Sequence, residues 1–381
     1  MTGWADGALS SPVSGRALRA DTLHSLAAGL ERWPVIEGIP FLRADRRALA
    51  DATLAALDAG QAEDALVALL GDQDGWARTK PPPEADRRAL VRDAGQTSFR
   101  AAMDLLAFGL VGAYFAHRWS DPTFLSGLAL AEAHWSGPAR VFELACGAGH
   151  FLREFARVAP CVMGGDLVFA KLWLARRYVA PRAQLVCFDA AAPWPLTADA
   201  ADLVFCHDAF YFLPDKPHVT AEMRRVSAGP VLVGHAHNAL VDNLSAGAPL
   251  SPEGYAALFG TPVLYDDREL TAALVDGRAP VPSTAEALAG AAAVSLAAGA
   301  GVAKAVLGGL AVPQPGAILR RNPLYAGLGI QWPSDRYAKE YGLLATYPAQ
   351  ATGPERAVAG ADPEVDALAR RRVLLDLPGA W

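Results

Sequence analysis

Close cysteine pairs are missing from this chain. Its four cysteines, Cys146, Cys161, Cys187 and Cys206, stand singly within apolar runs, so neither a cysteine zinc site nor a dithiol redox centre is encoded, and they read as reduced core thiols. An excess of positive charge is missing too. With 34 Lys and Arg against 40 Asp and Glu, the formal net charge is −6, which gives no overall pull toward phosphate backbones or anionic membranes. Nucleic acid is therefore disfavoured as a partner. The first residues, Met1 to Asp6, show no basic segment leading into an apolar stretch, so no secretion signal is expected and a cytoplasmic location is the default. A membrane span is not expected either: Ala287 to Ala303 is uncharged but consists mainly of Ala and Gly, whose transfer into lipid gains little. That segment reads as a tightly packed helix or hairpin.

What is present is ample apolar material, 52% of 381 residues, enough for a main domain with appendages. Residues 1–43 read as a small β-rich element, because Trp33 to Leu42 places a Glu37-Gly38 turn between short apolar runs. Residues 44–135 read as a helical region that forms an N-terminal cover or lid. Apolar residues recur at helical spacing from Asp45 to Leu70, Asp86 to Asp93 and Ser98 to His117, and again after the capping pair Asp121-Pro122. The run Thr79 to Glu84 holds three prolines and must be extended.

From residue 136 to 275 short β-rich runs alternate with helical ones, the pattern of a parallel sheet covered on both faces. Strands are expected at Val141–Ala145, Cys161–Gly165, Gln184–Phe188, Leu203–Cys206 and Pro230–Gly234, with a further one at Pro262–Tyr265. Helices are expected between them. Residues 276–381, Ala/Gly-rich and then Pro/Arg-rich, form a C-terminal extension of weak pattern.

The stretch Val141 to Phe151 supplies a strand, a glycine turn (Gly147, Gly149) and a helix start, the arrangement in which backbone amides approach a ligand without Cβ obstruction. Acids then recur at the carboxyl ends of successive strands: Asp166 before Leu167, Asp189, and Asp208 after His207. Open parallel sheets bind ligands at that edge. Strand-end capping is the plainer use of Asp166 and Asp189. A pyrophosphate-binding fingerprint needs a third small residue at position 152, which is Leu152, so a dinucleotide is disfavoured.

These blocks together resemble the class I S-adenosylmethionine-dependent methyltransferases over roughly residues 100–275. The resemblance implies an α/β, Rossmann-like seven-stranded sheet with helices on both faces, S-adenosylmethionine as cofactor, and methyl transfer as activity. It implies that Glu143 lies near the cofactor's methionine portion and that Ala145, Gly147 and Gly149 form the close-approach loop. Asp166 and Leu167 would meet the ribose, Asp189 the adenine amine, and His207 or Asp208 the methyl-transfer site. Ala145 stands where the family has glycine.

The protein's part in methyl transfer is to align a nucleophile and accept its proton. His207 is the first candidate base, since neutral histidine is abundant near pH 7; His237 is the second, with Asp208 beside them. His235 and His237 alternate along a strand and, with Asp208 or His207, could surround a divalent ion. Alternation has many other causes, so no metal is expected. No Asn/Asp-Pro-Pro-Tyr or Phe motif occurs, which disfavours an amide or base amine and favours an oxygen, or an activated nitrogen, sulfur or carbon, of a small molecule, with oxygen the first choice. RNA methylation and a silent cofactor-binding scaffold are the alternatives, and a homo-oligomer is left open.

At the N-terminus, Ser11 to Leu18 and Trp33 to Pro40 resemble a zinc-ribbon-derived family that activates methyltransferases. Serine stands where a cysteine ligand belongs and no cysteine precedes Cys146, so the element is expected to be metal-free. Near the C-terminus, Leu319 to Tyr325 and Trp332 to Tyr337 mix arginines with aromatics that suit a carboxylate or phosphate, although solvated arginines are the commoner case. Arg370, Arg371 and Arg372 read as the polar face of a terminal helix.

Overall fold

The computed structural model describes residues 4, 7–73, 80–243, 247–327 and 329–381; most of the N-terminal stretch read above, and Thr79 at the head of the proline run, lie outside them. Four short strands come first: β1 (Arg19–Thr22), β2 (Ser25–Ala28), β3 (Glu31–Ile36) and β4 (Ile39–Pro40), antiparallel in sequential order. The last hairpin turns through Glu37 and Gly38 with φ of 49° and 77°, the pair of left-handed residues that a tight hairpin needs. The chain then runs onto the edge of a larger sheet, where the Leu42 amide donates to Cys187 O at 2.7 Å.

Among the described residues six α-helices follow: α1 (Arg47–Asp58), α2 (Ala62–Leu69), α3 (Glu84–Asp93), α4 (Phe99–Leu105), α5 (Leu110–His117) and α6 (Pro122–Ala133). The stretch read as one helix from Ser98 to His117 is two, because Ala107 and Gly109 take φ of 54° and 55° between them. Asp121 caps α6 by accepting from the Thr123 amide at 2.7 Å, with Pro122 in the first turn. This helix is buried along nearly its whole length.

The central sheet contains β5 (Arg140–Leu144), β6 (Cys161–Asp166), β7 (Gln184–Cys187), β8 (Leu203–His207), β9 (Val231–His237), β10 (Val263–Asp266) and β11 (Ala293–Ala298). Its spatial order is β7-β6-β5-β8-β9-β11-β10, with the first five parallel and β11 antiparallel to both neighbours. Helices α7 (His150–Phe155), α8 (Phe169–Leu174), α9 (Lys216–Val226), α10 (Pro252–Leu258) and α11 (Asp267–Asp276) connect the strands. This is the Rossmann-like seven-stranded methyltransferase sheet. The order reverses between β5 and β8, which opens a crevice at their carboxyl ends.

β11 corrects the sequence reading. Within Ala287 to Ala303, expected as a helix or hairpin, Ala293–Ala298 form a fully buried strand between β9 and β10. A strand covered on both faces shows no apolar alternation, so its period is silent. No helix among the described residues is long and apolar enough to cross a membrane.

The C-terminal extension carries β12 (Ile318–Arg321), paired with Arg356–Val358 and Leu374–Leu375, and two helices, α12 (Asp335–Tyr341) and α13 (Pro363–Arg370). It returns to the helical region, where Trp381 Nε1 donates to Ala116 O at 2.7 Å. Arg370 to Arg372 are not one solvated face. Arg370 donates to Leu274 O at 2.6 Å, and Arg372 is buried over the ring of Phe124.

Candidate active site

After β5 the chain turns sharply, with φ of 53° at Ala145, 55° at Gly147 and 84° at Gly149. A Cβ at Gly149 would sit 2.9 Å from Ala175 Cβ, so glycine lets the start of α7 pack closely. Ala145 occupies the left-handed region with a side chain, which costs about 1–2 kcal/mol. Asp166, at the end of β6, accepts the Gly147 amide on Oδ2 and the Val168 amide on Oδ1, each at 2.9 Å. Lys171 Nζ lies 3.8 Å from Oδ1. The carboxylate thus pins the glycine turn while keeping spare lone pairs.

Glu143 is buried, and burial pushes its carboxyl well above the usual range against the opposing hydrogen bond from the Leu152 amide. Its Oε2 is buried without a partner among the described residues. Asp189, half-buried, caps its own loop by accepting the Ala191 amide at 2.9 Å. Leu167 O accepts from Arg43 Nη1 at 3.1 Å.

A cavity of about 630 Å³ joins these residues. Glu143, Ala145, Gly147, Asp166, Leu167 and Asp189 line one end; Tyr114, Arg118, His207, Asp208 and Tyr211 line the other. From the C-terminal extension, Arg336, Tyr337, Glu340 and Tyr341 of α12 border it as well. Gly149 and His237 do not line the cavity. Of the aromatic residues nearby, Tyr114, Phe115, Tyr211 and Phe212 face it, whereas Trp119 and Phe210 belong to the core.

The polar end is a dense network. Buried Arg118 donates to Asp121 Oδ2 at 3.0 Å, to Thr123, and to His207 Nδ1 at 3.0 Å, and lies 3.5 Å from Asp208 Oδ2. Asp208 also accepts from the hydroxyls of Tyr114 and, at 2.9 Å, Tyr211. Burial would raise the Asp208 carboxyl, but His235 and Arg118 beside it hold it below the usual range. His207 is driven well below its usual value by burial and by Arg118. Its ring is wedged in place: a Cβ on Gly127 or on Gly234 would come within 2.5 Å and 2.4 Å of His207 Cδ2.

Behind Asp208, His235 Nδ1 meets Asp267 Oδ2 at 2.6 Å and His235 Nε2 lies 4.0 Å from Asp208 Oδ1. Burial opposes the charged ring, yet the two carboxylates raise it to about 9. His237 goes the other way, to about 4, through burial and the neighbouring His235. One ligating atom each of Asp208, His235 and His237 lies within 4.8 Å of the others.

Sequence reasoning brought Glu143, Gly147, Asp166, Asp189, His207 and Asp208 to one edge. It did not single out Arg118, Asp267, Glu340 or Tyr341. Asp267 starts α11 on the far side of β11, and nothing local distinguishes it from an ordinary first-turn acid.

Residues 142–229 match the family model described as "Methyltransferase domain". No curated protein matches the chain. Among solved structures the chain is similar to the YcgJ protein of Bacillus subtilis, with 20% identity over 37% of this chain and 69% of that one, TM-score 0.31. It is similar to CalS10, an amino pentose methyltransferase from Micromonospora echinaspora solved with S-adenosylmethionine bound, with 27% identity over 33% of this chain and 56% of that one, TM-score 0.28. A third is an S-adenosylmethionine-dependent methyltransferase from Mesorhizobium loti, with 20% identity over 31% and 55% of the two chains, TM-score 0.27. Over residues 142–229 the chain is thus similar to a methyltransferase domain.

Proposed function

We propose that the protein transfers the methyl group of S-adenosylmethionine to an oxygen of a small molecule. The observation that carries this reading is the cavity running from Glu143, Asp166 and Asp189 to Arg118, Asp208 and Tyr114. Its first end suits the donor: a buried carboxyl with an unpartnered oxygen at Glu143, a left-handed turn at Ala145 and Gly147, and strand-end acids. Asp166 and Asp189 hold the nucleoside hydroxyls and the adenine amine, Leu167 packs beside them, and Glu143 receives the ammonium of the methionine portion. When bound, S-adenosylmethionine supplies an electrophilic methyl group on a sulfonium.

The second end receives the acceptor. Asp208 accepts the hydrogen bond of the incoming hydroxyl and so turns its oxygen toward the donor end. His207 takes a positioning part, since Nδ1 already accepts from Arg118; His237 stands behind Tyr211, whose ring stacks on it at 4.0 Å. Walls supplied by α12, with its tyrosines and Arg336, favour a compact acceptor with a polar group over a nucleic acid. The N-terminal sheet we read as a metal-free relative of the activator family, packed on the β7 edge through Leu42.

Calorimetry with S-adenosylmethionine and S-adenosylhomocysteine tests the donor half, and a folded sample that binds neither sinks it. Methyl-labelled donor incubated with a metabolite extract and, separately, with structured RNA tests the acceptor half. Label in a small molecule that is recovered as an O-methyl product supports the reading. Label in RNA alone replaces it with the RNA reading, and donor binding without any labelled product favours a silent scaffold.

A further inference from the structure

We propose that Asp208, His235 and His237 form a binding site for one divalent first-row transition-metal ion of the zinc class, set into the wall behind the acceptor end of the cavity. Two imidazoles and one carboxylate are the donor set that such ions prefer, and three protein ligands leave a fourth position for water or a substrate oxygen. The ligating atoms lie within 4.8 Å of one another. Around a tetrahedral ion with bonds near 2.0–2.2 Å, neighbouring donors sit roughly 3.4 Å apart. The 4.0 Å between His235 Nε2 and Asp208 Oδ1 therefore needs a closure of only about half an ångström.

Each ligand is held for the purpose by a group outside the triad. His235 Nδ1 is taken by Asp267 Oδ2 at 2.6 Å, and Asp267 is itself fixed by Ser295 Oγ at 2.6 Å and Ser126 Oγ at 3.0 Å. This carboxylate–imidazole arrangement orients a metal-binding ring and leaves Nε2 for the ion. The backbone contributes as well: the register of β11 against β9 shifts opposite His235, whose amide donates to Ser295 Oγ at 3.0 Å. Such a bulge re-aims a side chain. His237 is 6% exposed; it hydrogen-bonds the Asn243 side chain, while its Nδ1 is buried with no partner among the described residues.

Asp208 divides its two oxygens. Oδ2 faces Tyr114 and Arg118, and Oδ1 faces Tyr211 and His235. A carboxylate oxygen has two lone pairs, so Oδ1 serves the Tyr211 hydroxyl and an ion together. Arg118 is the cation opposing this placement, and it engages the oxygen turned away from the histidines. The site shares Asp208 with the acceptor end of the methyl-transfer reading and none of the groups assigned to the donor end, so donor binding does not depend on it.

The test uses the full chain freed of metal. Equilibrium dialysis against zinc, with elemental analysis, should find one ion per chain, and cobalt(II) should give a tetrahedral visible spectrum. His237→Ala and Asp208→Asn should lose the ion. Asp267→Asn, which leaves all three ligands in place, should weaken it about 10–100-fold. Folded wild-type protein that takes up no stoichiometric ion overturns the proposal, as does equal uptake by wild type and His237→Ala. Should a variant fail to fold, the wild-type stoichiometry and the cobalt spectrum still decide. S-adenosylhomocysteine binding, measured on the same samples, keeps a failure of the metal site distinct from a failure of the methyl-transfer reading.

Discussion

Arg118 donates from Nη2 to Nδ1 of His207 at 3.0 Å, and both side chains are buried. A guanidinium has no acceptor, so Nδ1 must be the unprotonated nitrogen and the proton of neutral His207 sits on Nε2. One contact thereby sets the tautomer of the residue that sequence reasoning ranked first as a base. The same arginine serves Asp121 and faces Asp208.

Arg118→Met should cost about 3–5 kcal/mol of unfolding free energy, because it leaves the buried Asp121 and the partly buried Asp208 short of their cation. Arg118→Lys keeps the charge and loses the fork, so its cost should be smaller. Urea titrations of the three proteins check the order. Equal midpoints for wild type and Arg118→Met would mean that the network adds nothing to stability.

Asp166→Ala should weaken S-adenosylhomocysteine binding by about 10–100-fold, the usual worth of hydrogen bonds to a charged group. The substitution also frees the Gly147 amide, so Asp166→Asn, which can still accept from it, should retain more affinity. Calorimetry decides, and unchanged affinity in Asp166→Ala removes Asp166 from the donor site.

Ala145 holds φ of 53°, where glycine carries no Cβ penalty. Ala145→Gly should stabilise the fold by about 0.5–1 kcal/mol, the relief of strain exceeding the entropy lost by glycine. A higher urea midpoint with an unchanged slope is the expected result, and a lower one contradicts it.

Acid should weaken the fold through its buried histidines. Burial, aided by Arg100, lowers His117 from 6.5 to about 4 in the folded state. The unfolded chain binds this proton more readily, so the contribution is complete above pH 6.5 and is lost as pH falls toward 4. The difference amounts to roughly 3 kcal/mol. His150, lowered to about 3 by burial, acts in the same sense. In His117→Phe the decline between pH 6.5 and 4 should be shallower than in wild type, and parallel stability profiles would refute the assignment.

Much of the sheet was legible because its determinants are local. Runs such as Val141–Leu144 and Leu203–Cys206 carry β-branched and aromatic residues between turn signals, and the glycines and acids at their ends mark the ligand edge. β11 was not legible, since six residues buried on both faces offer no alternation. The break between α4 and α5 was hidden because Ala107 has no chemical mark of a left-handed residue. The polar end was legible only in part: His207, Asp208, His235 and His237 were all noted, but alternation along β9 alone does not show what faces Nε2 of His235.

The amino-acid sequence by itself determined the alternation of strands and helices, the close-approach turn at Gly147 and Gly149, and the acids at the strand ends, since each follows from spacing over a few residues. Only the tertiary structure decided which charges meet. Arg118 reaches His207 across 89 positions and His235 meets Asp267 across 32, because the insertion of β11 between β9 and β10 and the packing of α6 beneath the sheet bring those ends together. Local periodicity encodes which face is buried; the partner of a buried charge is set by topology.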